Sequence, residues 1–488
     1  MNLSFIDPVL KFLPTVKKPD QPLSFREKLK WTGIIMSLYF VLFSTPALGV
    51  NTATINQPII QLVSIIFAAK IGSLITVGIG PIVLSSIVLQ LIQGSGIINI
   101  DTQNPEDKAR MQGIQKIAAM GIAIVEAYIF VSTGYVPLAS VSAFAPVVIQ
   151  LALGAILIIF MDETMTKYGI TSGINLFIAA GVAYSIVGGT INILFAEALQ
   201  AIQAGGAAAI PNAILAFAPL FFAIMVFLIS IYAYDMKVEI PMVFEQFRGV
   251  GGRLPIPFLY VSVLPVILAT SFELSMTVWF RFLANTSGQF ANIAKFFALY
   301  ETSSSTSGTS LNLVGGIVYL ISPNFPLPYS TVYGGVGGYG AYFQYLATHL
   351  SQLYLPWGGI VLVPEWMHIV LYTTVLVVLC VVFGRFWVEM TGQSPKNIAE
   401  QLQTIGWQIP GFRRDPRIIE QMLSKYVNTI TILGSIFVGL LAALATLTGA
   451  VGTGMGVLLT VGIMYMVYQQ VEKESALSDM PGVGKFLS

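Results

Sequence analysis

The sequence predicts an all-α polytopic membrane protein, with about ten transmembrane helices in two inverted five-helix halves and one short extra helix between the first two spans. Composition is the first ground: of 488 residues, 55% are hydrophobic and 10% charged, where a soluble domain carries about 25% charged residues. The second is length, because apolar runs of about 20 residues, enough to span a bilayer, recur along the whole chain. The third is charge placement, with lysine and arginine gathered in alternate connections.

Taken in order, residues 1–30 form an amino-terminal segment without an evident cleavable signal. Its apolar piece (Leu3, Phe5, Ile6, Val9, Leu10, Phe12, Leu13) predicts an interfacial helix. Spanning runs follow at about 31–50, 73–93, 114–133, 140–160, 172–195, 212–234, 257–284, 365–390, 429–448 and 451–471. Between the first two lies Ile55–Ala69, a helix too short to cross a core of about 30 Å. The second run, from Ser73 to Gln93, carries Gly78, Gly80 and Pro81 inside it. Interrupted backbone at membrane depth persists only where protein or a water-filled cavity surrounds it, which marks a pathway or binding site. Glycines in such helices equally serve close packing, and both explanations stand at this level.

With the amino terminus inside, the basic residues of the leader, of 101–116, of 235–256, of 391–428 and of the tail 472–488 all face the cytoplasm, and both termini are cytoplasmic. Lys70, Arg281 and Lys295 break that pattern. The chain divides into a first half, 31–200; the sixth span with its inner loop, 201–256; the seventh span with a long outer Ser/Thr/Gly/Tyr-rich segment, 257–364; and spans eight to ten, 365–471, with inner loop 391–428. The inner loops carry Arg248, Arg253, Arg413, Arg414 and Arg417 beside turn signals such as Pro410-Gly411. They serve either as topology signals or as a docking site for phosphate or an acidic partner.

Enzyme chemistry has no foothold. The two histidines, His349 and His368, lack metal-ligand spacing, there is no P-loop, and the single cysteine, Cys380, excludes an internal disulfide. No cofactor is expected. Glu126 and Glu273 are the main acidic candidates at membrane depth, and protonation or a hydrogen bond to a neighbouring helix accounts for both. Asn285-Thr286-Ser287 is a glycosylation motif. A secondary transporter, also built from broken spans and inverted repeats, and a pore-free scaffold are the other function classes in play.

Seven runs in order resemble the SecY family of protein-conducting channels: KLKWTG at 28–33, KIGSLITVGIGPIV at 70–83 with LQLIQGSGII at 89–98, PEDKARMQGIQK at 105–116, YGITSGINLFIAAGV at 168–182, FLYVSVLPVILA at 258–269, IPGFRRDPR at 409–417 and GTGMGVLLTVGIMYMVYQQ at 452–470. The likeness is to the archaeal and eukaryotic branch. It implies a clamshell around an hourglass pore that passes unfolded polypeptide across the cell membrane and releases membrane segments sideways into lipid. The short helix becomes a plug, with Ile55, Ile59, Ile60, Leu62, Val63, Ile66 and Phe67. The ring at the waist falls on Ile79 and Val83, Ile170 and Ile174, Leu264 and Ile267, and in the tenth span on Val438 or Leu441. Each of the first three pairs has the spacing of one helical face, and an aliphatic ring dewets and blocks ions.

The resemblance also implies a side exit between spans two and three and spans seven and eight, where Leu84 and Ser275 should face each other. Gly78, Gly80 and Pro81 become the hinge of the second span. The partners implied are the small subunits SecE (gamma) and beta, the ribosome, the signal recognition particle receptor, signal sequences, nascent chains and lipid.

Overall fold

Helix starts follow local chemistry. Ser24 and Glu27 form a reciprocal capping box at the first helix: the Ser24 hydroxyl accepts from the Glu27 N–H and the Glu27 carboxylate from the Ser24 N–H. The computed structural model describes residues 13–21, 23–51, 68–94, 105–193, 198–203, 205, 209–244, 251–261, 264–284, 291–305, 308–326, 328, 338–355, 359–405, 407–408 and 416–478. The plug expectation, Ile55 to Phe67, lies outside them, as do Leu3–Phe12 of the leader, Arg248, Arg413, Arg414 and the Asn285 motif.

Ten helices of 15 residues or more stand among the described residues: α1 (Phe25–Ser44), α2 (Gly80–Gly94), α3 (Pro105–Ser132), α4 (Phe144–Tyr168), α5 (Gly173–Asn192), α6 (Ala218–Asp235), α7 (Leu264–Ala284), α8 (Glu365–Met390), α9 (Pro416–Leu447) and α10 (Gly454–Ser478). Seven stretches, from Ala109–Ser132 to Ile419–Leu447, are long and apolar enough to cross a bilayer. Hydropathy locates α8 to the residue, whereas α3 and α9 begin well before their apolar runs. Good helix formers in PEDKARMQ and PRIIEQMLSKY carry those helices past the bilayer portion.

The first half packs α1 on α4 and α5, α4 on α3 and α5, and α3 on α2. In the second half α7 packs on α8, α8 on α9, α9 on α10, and α6 on both α9 and α10. The halves meet twice, along α5 against α10 and where α2 and α3 face α7, with α2 also reaching α8. Apolar side chains such as Phe221, Leu228 and Tyr232 of α6 stay exposed, as a lipid-facing surface requires.

Two small sheets are built from the connections, which the sequence presents only as turn-rich or Ser/Gly-rich loops. β1 (Lys237–Phe244) pairs antiparallel with β2 (Gly251–Pro257) and with β7 (Trp407–Gln408), which joins the two basic loops into one unit. Its apolar core includes Ile240, Ile256, Leu402, Ile419 and Leu423. In the long segment before α8, β3 (Leu299–Ser305), β4 (Gly308–Gly315), β5 (Leu350–Tyr354) and β6 (Ile360–Pro364) form a sheet in that order.

Candidate functional site

The second span is a short helix preceded by a buried strap. Residues 71–79 run as turns, with Ile71, Ile75, Val77 and Ile79 all buried. The strap satisfies its own backbone locally, for example Thr76 N–H to the Ser73 carbonyl at 3.2 Å and Gly78 N–H to Ile75 at 3.0 Å. It is also tied to the end of α1, through Leu74 N–H to the Thr45 carbonyl at 3.0 Å and Ala47 N–H to Gly72 at 2.8 Å. α4 approaches so closely that a Cβ on Gly154 would lie 1.8 Å from the Leu74 carbonyl oxygen, so only glycine fits there. Just before the strap, Tyr39 donates to the Ala68 carbonyl at 2.7 Å and stacks on Phe177.

This geometry places the residues of the hinge expectation at the start of α2. Gly78, Gly80 and Pro81 are not inside a continuous helix: Gly78 sits at φ +61, Gly80 opens α2 and Pro81 lies in its first turn. Proline is well suited to that place because its missing N–H has no helical partner to lose. The break precedes the helix, which begins at Gly80.

The expected ring residues are largely withdrawn from solvent. Ile79, Val83, Ile170, Ile267, Val438 and Leu441 are buried, and Ile174 and Leu264 pack partly buried against the central core. Ile170 is buried outside that core cluster. Ile79 stands at the start of α2, where its carbonyl accepts the helical hydrogen bond of Val83 N–H at 3.2 Å, whereas Ile170 precedes the helix that carries Ile174. Ser172, at φ −58 and ψ 141, lies between Ile170 and Ile174. Val438 and Leu441 stand on α9, not on the tenth span, where Leu458 and Leu459 are buried in the same core.

Along the second meeting of the halves, Leu84 of α2 and Ser275 of α7 are both buried. Other polar side chains are buried on the same helices. Gln90 of α2 and Ser271 and Ser275 of α7 are buried with side-chain atoms that have no partner among the described residues. Glu126 of α3 and Glu273 of α7 are buried too, and neither Glu273 oxygen is hydrogen-bonded among the described residues. Of the two explanations offered for Glu273, protonation or a hydrogen bond to a neighbouring helix, the hydrogen bond is not present among the described residues. Ser271 lies four residues before Ser275, on the same face of α7.

In the basic-loop unit, Arg253 projects from β2, exposed, with its guanidinium 2.5 Å from the Glu239 carboxylate of β1. Arg417 is exposed in the first turn of α9. Cys380 is buried and free.

Ten helices in two halves, which meet along α5 against α10 and where α2 and α3 face α7, define a membrane conduit of the helical, polytopic class. The model of the SecY family matches residues 73–468, and the chain belongs to that family. It is 36% identical over 489 residues to the protein translocase subunit SecY of Methanococcus vannielii, covering 99% of each chain. The match to the same subunit of Methanocaldococcus jannaschii is also 36%, over 485 residues. Among solved structures it resembles a protein conducting channel (TM-score 0.75, 36% identity, 97% of this chain and 98% of that one). It also resembles Sec61 in the canine ribosome-channel complex (TM-score 0.72, 35% identity, the same coverage). This is a family of channels, not of enzymes.

Proposed function

We propose that this chain is the central pore-forming subunit of a protein translocation channel, passing unfolded polypeptide through the waist and releasing membrane segments sideways. One observation carries the reading: a buried, non-helical strap delivers Ile79 and Val83 into the core at the place where the two halves meet along α2. Irregular backbone at that depth belongs beside a pathway. Aliphatic side chains there close it to ions by dewetting, and they yield to a chain of any sequence because they offer no fixed polar partner. The ring consists of Ile79, Val83, Ile170, Ile174, Leu264 and Ile267, completed from α10 by Leu458 or Leu459.

The seam between α2–α3 and α7–α8 is the side exit, with Leu84 and Ser275 across it. The segment Ile55–Ala69 is the plug. The protein lies in the cell membrane with both termini cytoplasmic, so the β1–β2–β7 unit and Arg248, Arg253, Arg413, Arg414 and Arg417 meet the ribosome. SecE, the beta subunit and the signal recognition particle receptor are the other partners. The test is reconstitution with the small subunits and a stalled ribosome bearing a signal sequence. The nascent chain is expected to crosslink to a photoreactive group at position 79. Crosslinks confined to lipid-facing positions such as Leu228 of α6 would overturn the reading.

A further inference from the structure

Arg281 is one of three basic residues that break the distribution of positive charge, and its surroundings show why a cation stands there. It lies in the last turn of α7 and is 3% exposed. Its Nε donates to the Thr133 carbonyl at 3.1 Å, and its guanidinium carbon lies 4.0 Å from the centroid of the Tyr135 ring. Thr133 and Tyr135 belong to the first half, just past the end of α3, where Gly134 at φ +73 turns the chain. The contact therefore spans the two halves of the molecule.

Three effects favour the cation in this place. The carbonyl takes a charge-assisted hydrogen bond, the ring face of Tyr135 attracts a desolvated guanidinium, and α3 and α7 both bring their negative C-terminal ends to it. Among the described residues no carboxylate forms an ion pair with it. A neighbouring ring contact, Tyr128 of α3 against Phe282 of α7 at 6.1 Å, closes the same end of the seam.

We propose that Arg281 is the clasp of the side exit. It holds α7 to the end of α3 in the closed channel, and the energy needed to break it sets how apolar a signal sequence must be to part the seam. The inference rests on the side-exit reading above and adds the residue that sets its resistance. A cation held by a carbonyl and a ring face, without a counter-charge among the described residues, regains water when the halves separate, so the clasp is reversible.

The test measures insertion by the reconstituted channel, with its partner subunits, of two nascent chains. One bears a strongly apolar signal sequence and the other the same signal with core leucines replaced by alanine. The readout is the ratio of weak to strong insertion. Arg281→Leu and, from the other half, Tyr135→Leu are each expected to raise that ratio by about tenfold, equivalent to about 1.4 kcal/mol. Arg281→Lys, which keeps a cation over the ring, should return most of the way to the parent ratio. The two leucine substitutions combined should be less than additive, since they remove one contact.

A ratio unchanged or lowered in both single variants overturns the clasp. Tyr135→Leu leaves the charge in place and stands as the deciding variant if Arg281→Leu does not fold. Failure of the parent channel to insert even the strong signal overturns the channel reading and the clasp with it, whereas normal parent insertion with unmoved ratios overturns the clasp alone.

Discussion

Two fully buried residues at the start of α8, Glu365 and His368, centre a polar network. His368 places Nδ1 2.7 Å from Glu365 Oε1 and Nε2 3.0 Å from the Ser322 carbonyl, and it stacks on Phe325. Tyr319 donates to the same Glu365 oxygen at 3.0 Å. Burial first, and then the nearby Glu365, hold the Tyr319 hydroxyl protonated well beyond the ordinary tyrosine range, so it stays a donor. The network ties the segment before α8 to the start of that helix. His368→Phe keeps an aromatic ring but strips Glu365 of one buried hydrogen-bond partner, which costs about 1–3 kcal/mol. A melting temperature in detergent clearly below the parent's is expected, with a smaller drop for His368→Gln; equal melting would show that the ring contact alone matters. The i,i+3 spacing of Glu365 and His368 was legible in the sequence, but its burial was not, because Ser322 and Phe325 reach it from more than 40 positions away. At the waist, Ile79→Asn should raise resting ion conductance in planar bilayers, because a buried amide brings water into an apolar constriction; parent-like conductance in a folded variant would move the waist elsewhere.

Among the elements, the strap before α2 decides how firmly the waist is held. Because α4 leaves no room for a Cβ at Gly154, Gly154→Ala must push the Leu74 backbone away, and overpacking of this kind costs about 1–3 kcal/mol. The displaced strap carries Ile79, so resting ion leak should increase along with the loss of stability. A leak unchanged in a destabilised variant would separate the strap from closure. Across the seam, Leu84→Cys with Ser275→Cys, after replacement of Cys380, should form a disulfide on oxidation, which needs Cα atoms within about 7 Å. It should stop signal insertion until reduced, and insertion through a fully oxidised pair would remove the side exit. The broken second span was legible from Gly78, Gly80 and Pro81, whereas the place where helix begins was not. Hydropathy runs unbroken from Ser73 to Gln93, and only the tertiary hydrogen bonds from Leu74 to Thr45 and from Ala47 to Gly72 show that the first part is strap. The small sheets were equally hidden, because β7 supplies only two residues and is defined by its partner β1.

On the scale of the molecule, ten spans and a division into halves follow from apolar length and alternating charge, both of which act locally and are readable from sequence. What joins distant segments is not. The two basic loops look independent in the chain, yet β1, β2 and β7 make them one body with its own apolar core. That body places Arg253 on an exposed strand, with the 409–417 segment that carries Arg413, Arg414 and Arg417 running on from β7 to α9. If the unit docks on the ribosome, its arginines neutralise phosphate, and affinity must fall with salt as counterion release weakens. Arg413→Glu should lower ribosome affinity most clearly at low salt and flatten that salt dependence. Arg253→Glu should act in the same direction and more weakly, because Arg253 already shares its charge with Glu239 at 2.5 Å. An exposed pair of that kind contributes at most about 1 kcal/mol to folding, so either variant should insert and melt like the parent. Ribosome affinity equal to the parent's for both, at all salt concentrations, would return these arginines to the role of holding the loops inside.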